Sequence, residues 1–261
     1  MSERRTALIT GASSGFGVEF TRLFGADDWN VVMVARSGEA MQTVAREVEG
    51  RHGVDVDVMT MDLSKPGASA ELVASLLERG VIVDALVNNA GYSSYGEFWR
   101  DDPSTQSDML QVNIVALTEL SRLILPGMVE RGRGRILNLG SVGSFSAAPM
   151  TAAYAATKAY VLSLSLAMAD ELRGCAVTVT CLCPGPTQTG FQERAAMQDS
   201  ALIRGRKLPS AREVAEAGYA AMKAGKPYLV TGATSKLFAF GSRLLPRTLT
   251  AHIAGRSQRR V

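Results

Sequence analysis

A tyrosine and a lysine four residues apart carry the clearest chemistry in this chain. Tyr154 and Lys158 stand in the stretch Ala-Ala-Tyr-Ala-Ala-Thr-Lys, and residues four apart share one face of a helix. A free tyrosine titrates near pH ~10 and is a poor acid-base catalyst at neutral pH. Because a nearby cation favours the phenolate, we expect Lys158 to lower the pKa of Tyr154 and the pair to transfer a proton.

A glycine-rich turn lies far upstream, in the stretch Thr10-Gly-Ala-Ser-Ser-Gly-Phe-Gly17. It ends a predicted strand and opens a predicted helix, the context in which such glycines bind a dinucleotide. Gly11 permits the tight turn, while Gly15 and Gly17 let the backbone approach a pyrophosphate at the helix N-terminus. The spacing differs from the Gly-x-Gly-x-x-Gly of many dinucleotide folds, and a plain structural turn is the alternative. With the Tyr–Lys pair, the turn suggests a carbonyl reductase.

The end of the second predicted strand favours NADP(H) over NAD(H). It reads Val34-Ala35-Arg36, without the acid that commonly holds the ribose 2′-hydroxyl of NAD, whereas an arginine suits a 2′-phosphate. Ser13 and Ser14 are expected to add hydrogen bonds, and a surface role for Arg36 is the alternative. Asp62, after the third strand, is expected to accept from the adenine amino group or to cap a helix.

Short apolar runs alternate with helical patterns, which indicates βαβ units and a parallel sheet. We predict an α/β fold, a Rossmann-type doubly wound sheet of seven mainly parallel strands with helices on both faces, as one domain over residues 1–261. Ligands bind at the carboxyl edge of such sheets, so the irregular segment 184–209 is interpreted as a substrate lid. The predicted strands are Thr6–Thr10, Val31–Ala35, Asp55–Met61, Ala85–Val87, Arg135–Leu139, Val177–Leu182 and Tyr228–Thr231. The predicted helices are Gly15–Gly25, Gly38–His52, Ala68–Arg79, Ser104–Arg131, Thr151–Arg173 and Ala211–Ala224.

Composition excludes several classes of protein. The chain is 46% hydrophobic, but no apolar run reaches the ~18 residues of a membrane span. Because strand-like sequence begins by Thr6, we expect no signal peptide. Three cysteines are too few for a zinc site or disulfide framework. We expect them to be buried, reduced thiols and the location to be cytoplasmic. Both histidines lie far from every motif, so neither a histidine triad nor a metal site is expected. The cysteines are Cys175, Cys181 and Cys183.

The C-terminal extension, residues 232–261, is basic. The net charge is +3, yet no acidic residue follows Glu216. The apolar stretches 237–240 and 244–245 lie among these charges, so the end of the chain could bind an anionic membrane or an acidic partner. Packing of a C-terminal helix on the domain is the favoured alternative. The eight basic residues after Glu216 are Lys223, Lys226, Lys236, Arg243, Arg247, Arg256, Arg259 and Arg260.

Together these motifs resemble the short-chain dehydrogenase/reductase family, in the family's order and over roughly residues 6–231. The resemblance implies that Tyr154 protonates the developing alkoxide, that Lys158 also hydrogen-bonds the nicotinamide ribose, and that Ser141 orients the substrate oxygen. It further implies that Asn113 holds a helix bend and a water that relays protons to Lys158, the alternative being an ordinary buried asparagine. The matching motifs are Thr10–Gly17, Asp62, Asn88–Gly91, Asn113, Ser141, Tyr154, Lys158, Pro184, Gly185, Thr187 and Thr189.

The resemblance also implies the cofactor contacts. Asn88 would tie neighbouring strands together, while Thr187 and Thr189 would bind the nicotinamide carboxamide. Metal is not expected, because the hydride chemistry belongs to the cofactor. The complete expected NADP(H) set is Gly11, Ser13, Ser14, Gly15, Phe16, Gly17, Arg36, Asp62, Leu63, Asn89, Gly91, Tyr154, Lys158, Pro184, Gly185, Thr187 and Thr189.

The expected substrate is a hydrophobic ketone or aldehyde, or the matching alcohol. Apolar side chains flank the motifs, although ordinary packing is the alternative for them. The family resemblance suggests a homodimer or homotetramer joined through the helices near 104–131 and 151–173, and no nucleic-acid partner is expected. An NADP(H)-binding sensor or scaffold acting through the basic C-terminus is the alternative function. The flanking side chains are Tyr92, Phe145, Met150 and Phe191.

Overall fold

A seven-stranded parallel sheet organises the computed structural model, which describes residues 4–190 and 208–258. The strand order is β3-β2-β1-β4-β5-β6-β7, and every pairing is parallel, as the sequence predicts. The order reverses direction between β1 and β4, which is where open α/β sheets leave a ligand crevice. The strands are β1 Thr6–Thr10, β2 Asn30–Ala35, β3 Val56–Thr60, β4 Val83–Asn88, β5 Gly134–Leu139, β6 Val177–Cys183 and β7 Tyr228–Val230.

Helices cover both faces of the sheet. Phe20 of α1, Met41 of α2 and Met222 of α7 pack in one buried cluster, whereas Leu72 of α3 and Leu120 of α5 pack in another on the opposite face. The strands can therefore be apolar on both sides rather than alternating. The helices are α1 Phe16–Ala26, α2 Gly38–His52, α3 Ala68–Glu78, α4 Pro103–Leu110, α5 Leu117–Glu130, α6 Ala152–Glu171, α7 Ala211–Lys223, α8 Ala233–Gly241 and α9 Arg247–Gln258.

Helices α4 and α5 are joined without a break by a π-helical turn, Gln111–Ala116. By length and composition alone, the combined helix Pro103–Glu130 could cross a membrane. It packs instead along α3, α6 and strands β4 and β5, as the core helix of a globular domain does. Such π turns within α-helices are frequent at functional sites, and this one contains the predicted site residue Asn113.

Buried amides connect the two central strands. Asn88 Nδ2 donates to Asn138 Oδ1 at 2.9 Å and to Ser121 Oγ at 3.0 Å, and Asn138 Nδ2 donates to Ser165 Oγ at 2.9 Å. These contacts join β4 and β5 to α5 and α6. The prediction that Asn88 ties neighbouring strands together is confirmed.

The three cysteines differ in exposure. Cys181 and Cys183 are buried on the same face of β6 with their sulfurs 3.7 Å apart, as the alternation of a strand requires. Cys175 is exposed, so the expectation that all three are buried is wrong for this residue. It lies in the turn before β6 rather than within the strand.

The C-terminal extension packs on the domain as two helices, α8 and α9. Ser235 and Ala239 of α8 and Thr250, Ala254 and Gln258 of α9 are buried. The favoured expectation of packing is therefore confirmed for the described part of the extension.

The predicted lid is described only at its two ends. Gln188 forms a parallel bridge with Ser210, and its N–H donates to the Pro209 carbonyl at 2.9 Å. The segment thus leaves and re-enters the domain at one point. Phe191 and the rest of 191–207 lie outside the described residues.

Candidate active site

A cavity of about 1140 Å³ opens at the carboxyl ends of the strands. This exceeds the usual ~300–1,000 Å³ of small-molecule sites, as a site for a dinucleotide and a substrate would. Of the predicted site residues, only Gly17 and Asn113 do not line it. The predicted residues on its wall are Gly11, Ser13, Ser14, Gly15, Phe16, Arg36, Asp62, Leu63, Asn89, Gly91, Ser141, Tyr154, Lys158, Pro184, Gly185, Thr187 and Thr189.

The glycine turn at the start of α1 leaves no room for larger residues. Gly11 has φ +64°, and a Cβ there would lie 2.8 Å from the Ala90 Cα. A Cβ on Gly17 would lie 2.7 Å from the Ala12 Cα. The turn therefore holds its backbone against neighbouring backbone, with the N-terminal amides of α1 at the cavity wall, where a phosphate would bind.

Asn89 holds this turn from the adjacent strand end. Its Nδ2 donates to the carbonyl oxygens of Thr10 at 2.8 Å and Gly11 at 3.1 Å. The Thr10 hydroxyl in turn accepts from the N–H groups of Asn89 and Ala90 at 3.0 Å each. Asn89 both lines the cavity and fixes the distance between β1 and β4.

Arg36 and Asp62 lie together at the cavity rim. Asp62 Oδ1 accepts from the Ser64 N–H at 3.0 Å and so closes the turn that follows β3. The next helix begins only at Ala68, with Gly67 as its N-cap, so the helix-capping alternative for Asp62 is wrong. Burial raises the pKa of Asp62, but the hydrogen bonds from Ser64 and the charge of Arg36 outweigh it, so the pKa is lowered overall. The carboxylate is thus ionised at neutral pH, while Arg36 supplies an exposed cation beside it.

At the opposite end of the cavity, Tyr154 hydrogen-bonds with the Ser141 side chain. Ser141 begins a short 3₁₀ turn after β5, and its Oγ also accepts from the Gly143 N–H at 3.0 Å. Burial raises the pKa of Tyr154 to about 12, although the hydrogen bond from Ser141 acts to lower it. The phenol is therefore protonated at neutral pH and can donate a proton.

Lys158 is buried one helical turn from Tyr154, with its Nζ 5.6 Å from the phenol ring centroid. The Nζ donates to the Leu139 carbonyl at 2.7 Å, and burial lowers the pKa of Lys158 to about 8. In the cofactor-free protein, burial of each group therefore opposes the expected shift. The pair is adjacent, as predicted, and the expectation that Lys158 lowers the pKa of Tyr154 in the complete site stays a prediction.

Asn113 sits in the π turn and is 1% exposed. Its Oδ1 accepts from the Tyr92 N–H at 3.2 Å, and its Nδ2 donates to the Tyr92 carbonyl at 3.0 Å and to Thr157 Oγ1 at 3.1 Å. Thr157 Oγ1 donates to the Tyr154 carbonyl at 2.7 Å. Because protein groups take both amide hydrogens, the Asn113 side chain holds the helix carrying Tyr154 in place.

Sequence reasoning missed two sets of site residues. Thr157 and Ser144 support the catalytic helix, Ser144 by donating to the Lys158 carbonyl at 2.7 Å. Hydroxyl residues are too common for their spacing to have identified them. The C-terminal helices also line the cavity, although the sequence pattern suggested only packing. Their lining residues are Thr234, Ser235, Phe238, Ile253, Ala254, Ser257 and Gln258.

The predicted substrate-binding side chains separate into three groups. Tyr92 lines the cavity. Phe145 packs against the buried cluster that contains Val161 and is not among the residues that line the cavity, so the alternative of ordinary packing holds for it. Met150 lies outside the cavity wall formed by the described residues, and Phe191 is not described.

Residues 5–200 match the model of the short-chain dehydrogenase family. The chain therefore belongs to that family of oxidoreductases, in agreement with the site geometry.

Comparison with individual proteins gives the same result. The chain is 35% identical over 175 residues to a very-long-chain 3-oxoacyl-CoA reductase of Laccaria bicolor, covering 66% of this chain and 52% of that protein. It is 33% identical over 188 residues to the ketoacyl reductase HetN of a Nostoc species, covering 72% of this chain and 65% of the relative. The matches thus span about half to two thirds of these relatives. A short-chain dehydrogenase from Sphingobium yanoikuyae, solved in complex with NADPH, superposes with a TM-score of 0.82 at 28% identity, covering 92% of this chain and 94% of that chain.

Proposed function

We propose that this protein is an NADPH-dependent oxidoreductase that transfers hydride between the nicotinamide and a hydrophobic ketone or aldehyde, or the corresponding alcohol. The observation that carries the proposal is a single cavity with Ser141, Tyr154 and Lys158 at one end and the glycine turn with Arg36 at the other. A site of this design holds a dinucleotide and a carbonyl compound side by side.

The residues present fit NADPH. Gly15 lies on the cavity wall with φ +56°, and a Cβ there would meet nothing closer than the Thr189 side chain at 3.5 Å, so a phosphate can approach this backbone. The N-terminus of α1 attracts negative charge. Arg36 supplies the cation that a 2′-phosphate requires. The Sphingobium relative, solved with NADPH, supports the same cofactor.

The side chains divide the chemistry between them. NADPH, when bound, would supply the hydride for the carbonyl carbon, and negative charge would then develop on the carbonyl oxygen. The Ser141 hydroxyl donates a hydrogen bond to that oxygen and orients it, while the Tyr154 hydroxyl gives it the proton. Lys158, held by Leu139, places a positive charge beside the phenolate that remains. Asn113 and Thr157 keep Tyr154 at the required position.

The substrate is proposed to carry an apolar body, and a 3-oxoacyl chain is the favoured class. Apolar side chains on the substrate side of the cavity support this, as do the names of the matched reductases. A thioester would place its 3-keto group at Tyr154 and its chain against the C-terminal helices. The apolar lining includes Tyr92, Val142, Ala148, Phe238 and Ile253.

Replacement of Tyr154 by phenylalanine tests the function. Tyr154→Phe removes only the hydroxyl, so kcat for ketone reduction should fall at least ~10²–10⁴-fold, the usual contribution of a general acid. Fluorescence titration should give an unchanged Kd for NADPH. If Tyr154→Phe reduces ketones normally, the assignment is wrong; if the wild-type protein binds NADPH but turns over no carbonyl, the sensor or scaffold alternative gains support.

Self-association is proposed through α5 and α6. Leu123, Val129 and Tyr160 are 38–45% exposed there, which is unusual for large apolar side chains on packed helices. Light scattering should show a dimer or tetramer, and Leu123→Asp should shift it toward the monomer. A wild-type monomer at micromolar concentration would contradict this proposal.

A further inference from the structure

The outer face of α8, α9 and the turn between them is apolar and basic. Six of the fifteen exposed large apolar side chains in the described residues lie here, and Leu237 and Leu244 are each 72% exposed. Contiguous exposed apolar side chains mark interaction surfaces. We call this the basic apolar face; it consists of Leu237, Phe240, Leu244, Leu245, Leu249 and Ile253 with the cations Lys236, Arg243, Arg247 and Arg256.

The apolar positions are not core residues of poorly packed helices. Leu237 and Phe240 of α8 are three residues apart and so share a side, whereas Ser235 and Ala239 are buried on the opposite side of the same helix. Leu244 follows in the turn after α8, and α9 is anchored at its end. Thr151 Oγ1 donates to Gln258 Oε1 at 3.1 Å, and the Tyr95 hydroxyl donates to the Gln258 carbonyl. The helices are therefore fixed on the domain with their apolar side chains outward.

The charge of the basic apolar face distinguishes between two possible binding partners, a second copy of the chain and an anionic bilayer. The face carries four cations, and residues 232–258, which form α8, α9 and the turn between them, contain no acidic residue. A second copy of the chain placed on the same face would set cations against cations, which disfavours self-association there. An anionic phospholipid bilayer offers phosphates for the cations and an acyl region for the leucines.

The basic apolar face continues into the mouth of the active-site cavity. Ile253 is 43% exposed and also lines the cavity, and Phe238 and Ala254 of the same two helices line it beside the catalytic end. A bilayer that covered the face would therefore meet the entrance of the cavity.

We propose that the basic apolar face docks the protein on anionic phospholipid bilayers, so that lipophilic carbonyl substrates enter the cavity from the membrane. Docking stands on the exposed face and its charge alone. Delivery of substrate rests in addition on the proposed function.

Co-sedimentation with vesicles of phosphatidylcholine, with and without 30% phosphatidylserine, tests docking. The wild-type protein should bind the phosphatidylserine vesicles at least tenfold more tightly, and binding should weaken as ionic strength rises. The double variant Leu237→Glu/Leu244→Glu should lose at least tenfold in affinity. The matched control is Leu77→Glu on α3, a leucine 71% exposed, which should bind like the wild type. Equal binding to both vesicle types, or an equal loss in the control, would overturn the proposal.

Two further measurements separate the alternatives. Circular dichroism and NADPH titration should be unchanged in the double variant, since neither leucine lines the cavity. If light scattering without lipid shows an oligomer that the double variant dissolves, the face binds a second copy and the proposal is wrong. Tyr154→Phe should sediment as the wild type does, so that failure of catalysis does not imitate failure of docking.

Substrate delivery has its own measurement. The double variant should reduce a small water-soluble ketone at the wild-type rate, but its rate on a long-chain 3-oxoacyl ester held in anionic vesicles should fall about tenfold. Equal rates on the vesicle-held ester would overturn delivery from the membrane. Turnover of neither compound by the wild type, with intact vesicle binding, would overturn the proposed function and leave docking standing.

Discussion

The two ends of the cavity are built from different material. The cofactor end consists largely of backbone, held close by glycines and by Asn89, whereas the catalytic end consists of buried side chains, Ser141, Tyr154 and Lys158. Where backbone atoms pack against each other, as at the cofactor end, an added side-chain atom must displace the backbone. Where side chains form the site, as at the catalytic end, a substitution can preserve the fold and remove only the catalytic group. The two ends should therefore respond differently to mutation.

The largest expected effect is at the backbone end. Gly17→Ala forces a Cβ against the Ala12 Cα, so the free energy of unfolding should fall by about 3 kcal/mol, and NADPH binding should weaken as the turn shifts. Urea denaturation and fluorescence titration measure both. The control is Gly50→Ala, where nothing lies within 4 Å in α2; it should stabilise by ~0.5–1 kcal/mol. If the two variants behave alike, the backbone end is not sterically fixed.

At the catalytic end, substitution should increase the free energy of unfolding, whereas Gly17→Ala decreases it. Burial lowers the pKa of Lys158 from 10.5 to about 8, so the folded protein binds fewer protons than the unfolded chain between these values. The contribution of Lys158 to the stability of the wild-type protein should thus rise from pH 8 to 10.5. Lys158→Met should stabilise the cofactor-free protein below pH 8 by about 3 kcal/mol, because lowering the pKa from 10.5 to about 8 corresponds to ~3.4 kcal/mol at ~1.36 kcal/mol per pKa unit, and it should abolish reduction. A variant less stable than the wild type at pH 7 would show that the ammonium is well compensated.

Arg36 sharpens the contrast within the cofactor end, because it acts by charge rather than by backbone shape. Arg36→Ala should raise the Kd of NADPH about 10–30-fold, ~1.4–2 kcal/mol, and that of NADH less than threefold. The control, Arg46→Ala, removes an exposed arginine from α2 that donates to the Gln42 carbonyl. Equal losses for the two nucleotides would contradict the 2′-phosphate contact.

The smallest expected effect concerns the support of Tyr154. Thr157→Val leaves an Asn113 N–H and the Tyr154 carbonyl without their hydroxyl partner, which should cost about 1–2 kcal/mol of stability. A several-fold loss in kcat with an unchanged KM should follow, since only the position of the acid changes. Thr157→Ser restores the hydroxyl and should restore kcat. If Ser fails to rescue, the methyl group matters and the hydrogen bonds do not.

The sequence identified the sheet, and nearly all of the site residues that it predicted lie on the cavity wall. Short apolar runs such as β1 and β4 predict strands that helices cover on both faces. Gly11 and Gly17 are informative because the neighbouring backbone leaves no room for a larger residue. Predicted bounds differed from the observed ones by a few residues, because strand ends depend on the neighbouring strand.

Properties set by three-dimensional environment could not be read in the same way. The spacing of Tyr154 and Lys158 correctly predicted that they are adjacent. Whether the pKa of Tyr154 is raised or lowered depends on its burial, which cannot be read from the local sequence. Phe145 is apolar and close to Ser141 in sequence, yet its ring packs away from the cavity. The C-terminal helices reach the cavity only through tertiary packing.

The side-chain amides of Asn88 and Asn138, which join β4 and β5, help to determine the register in which these two strands pair. Asn88 and Asn138 are directly paired in the ladder, beside the apolar residues 85–87 of β4 and 136–137 of β5. Apolar side chains alone would allow the two strands to slide past one another at little cost. A slip of one residue would place each amide against a hydrocarbon side chain, with its hydrogen-bonding groups buried and unpaired. Parallel strands meet late in folding because they are distant in sequence. A polar pair at the centre thus discriminates the correct alignment from its neighbours, a task that leucine and valine alone perform poorly.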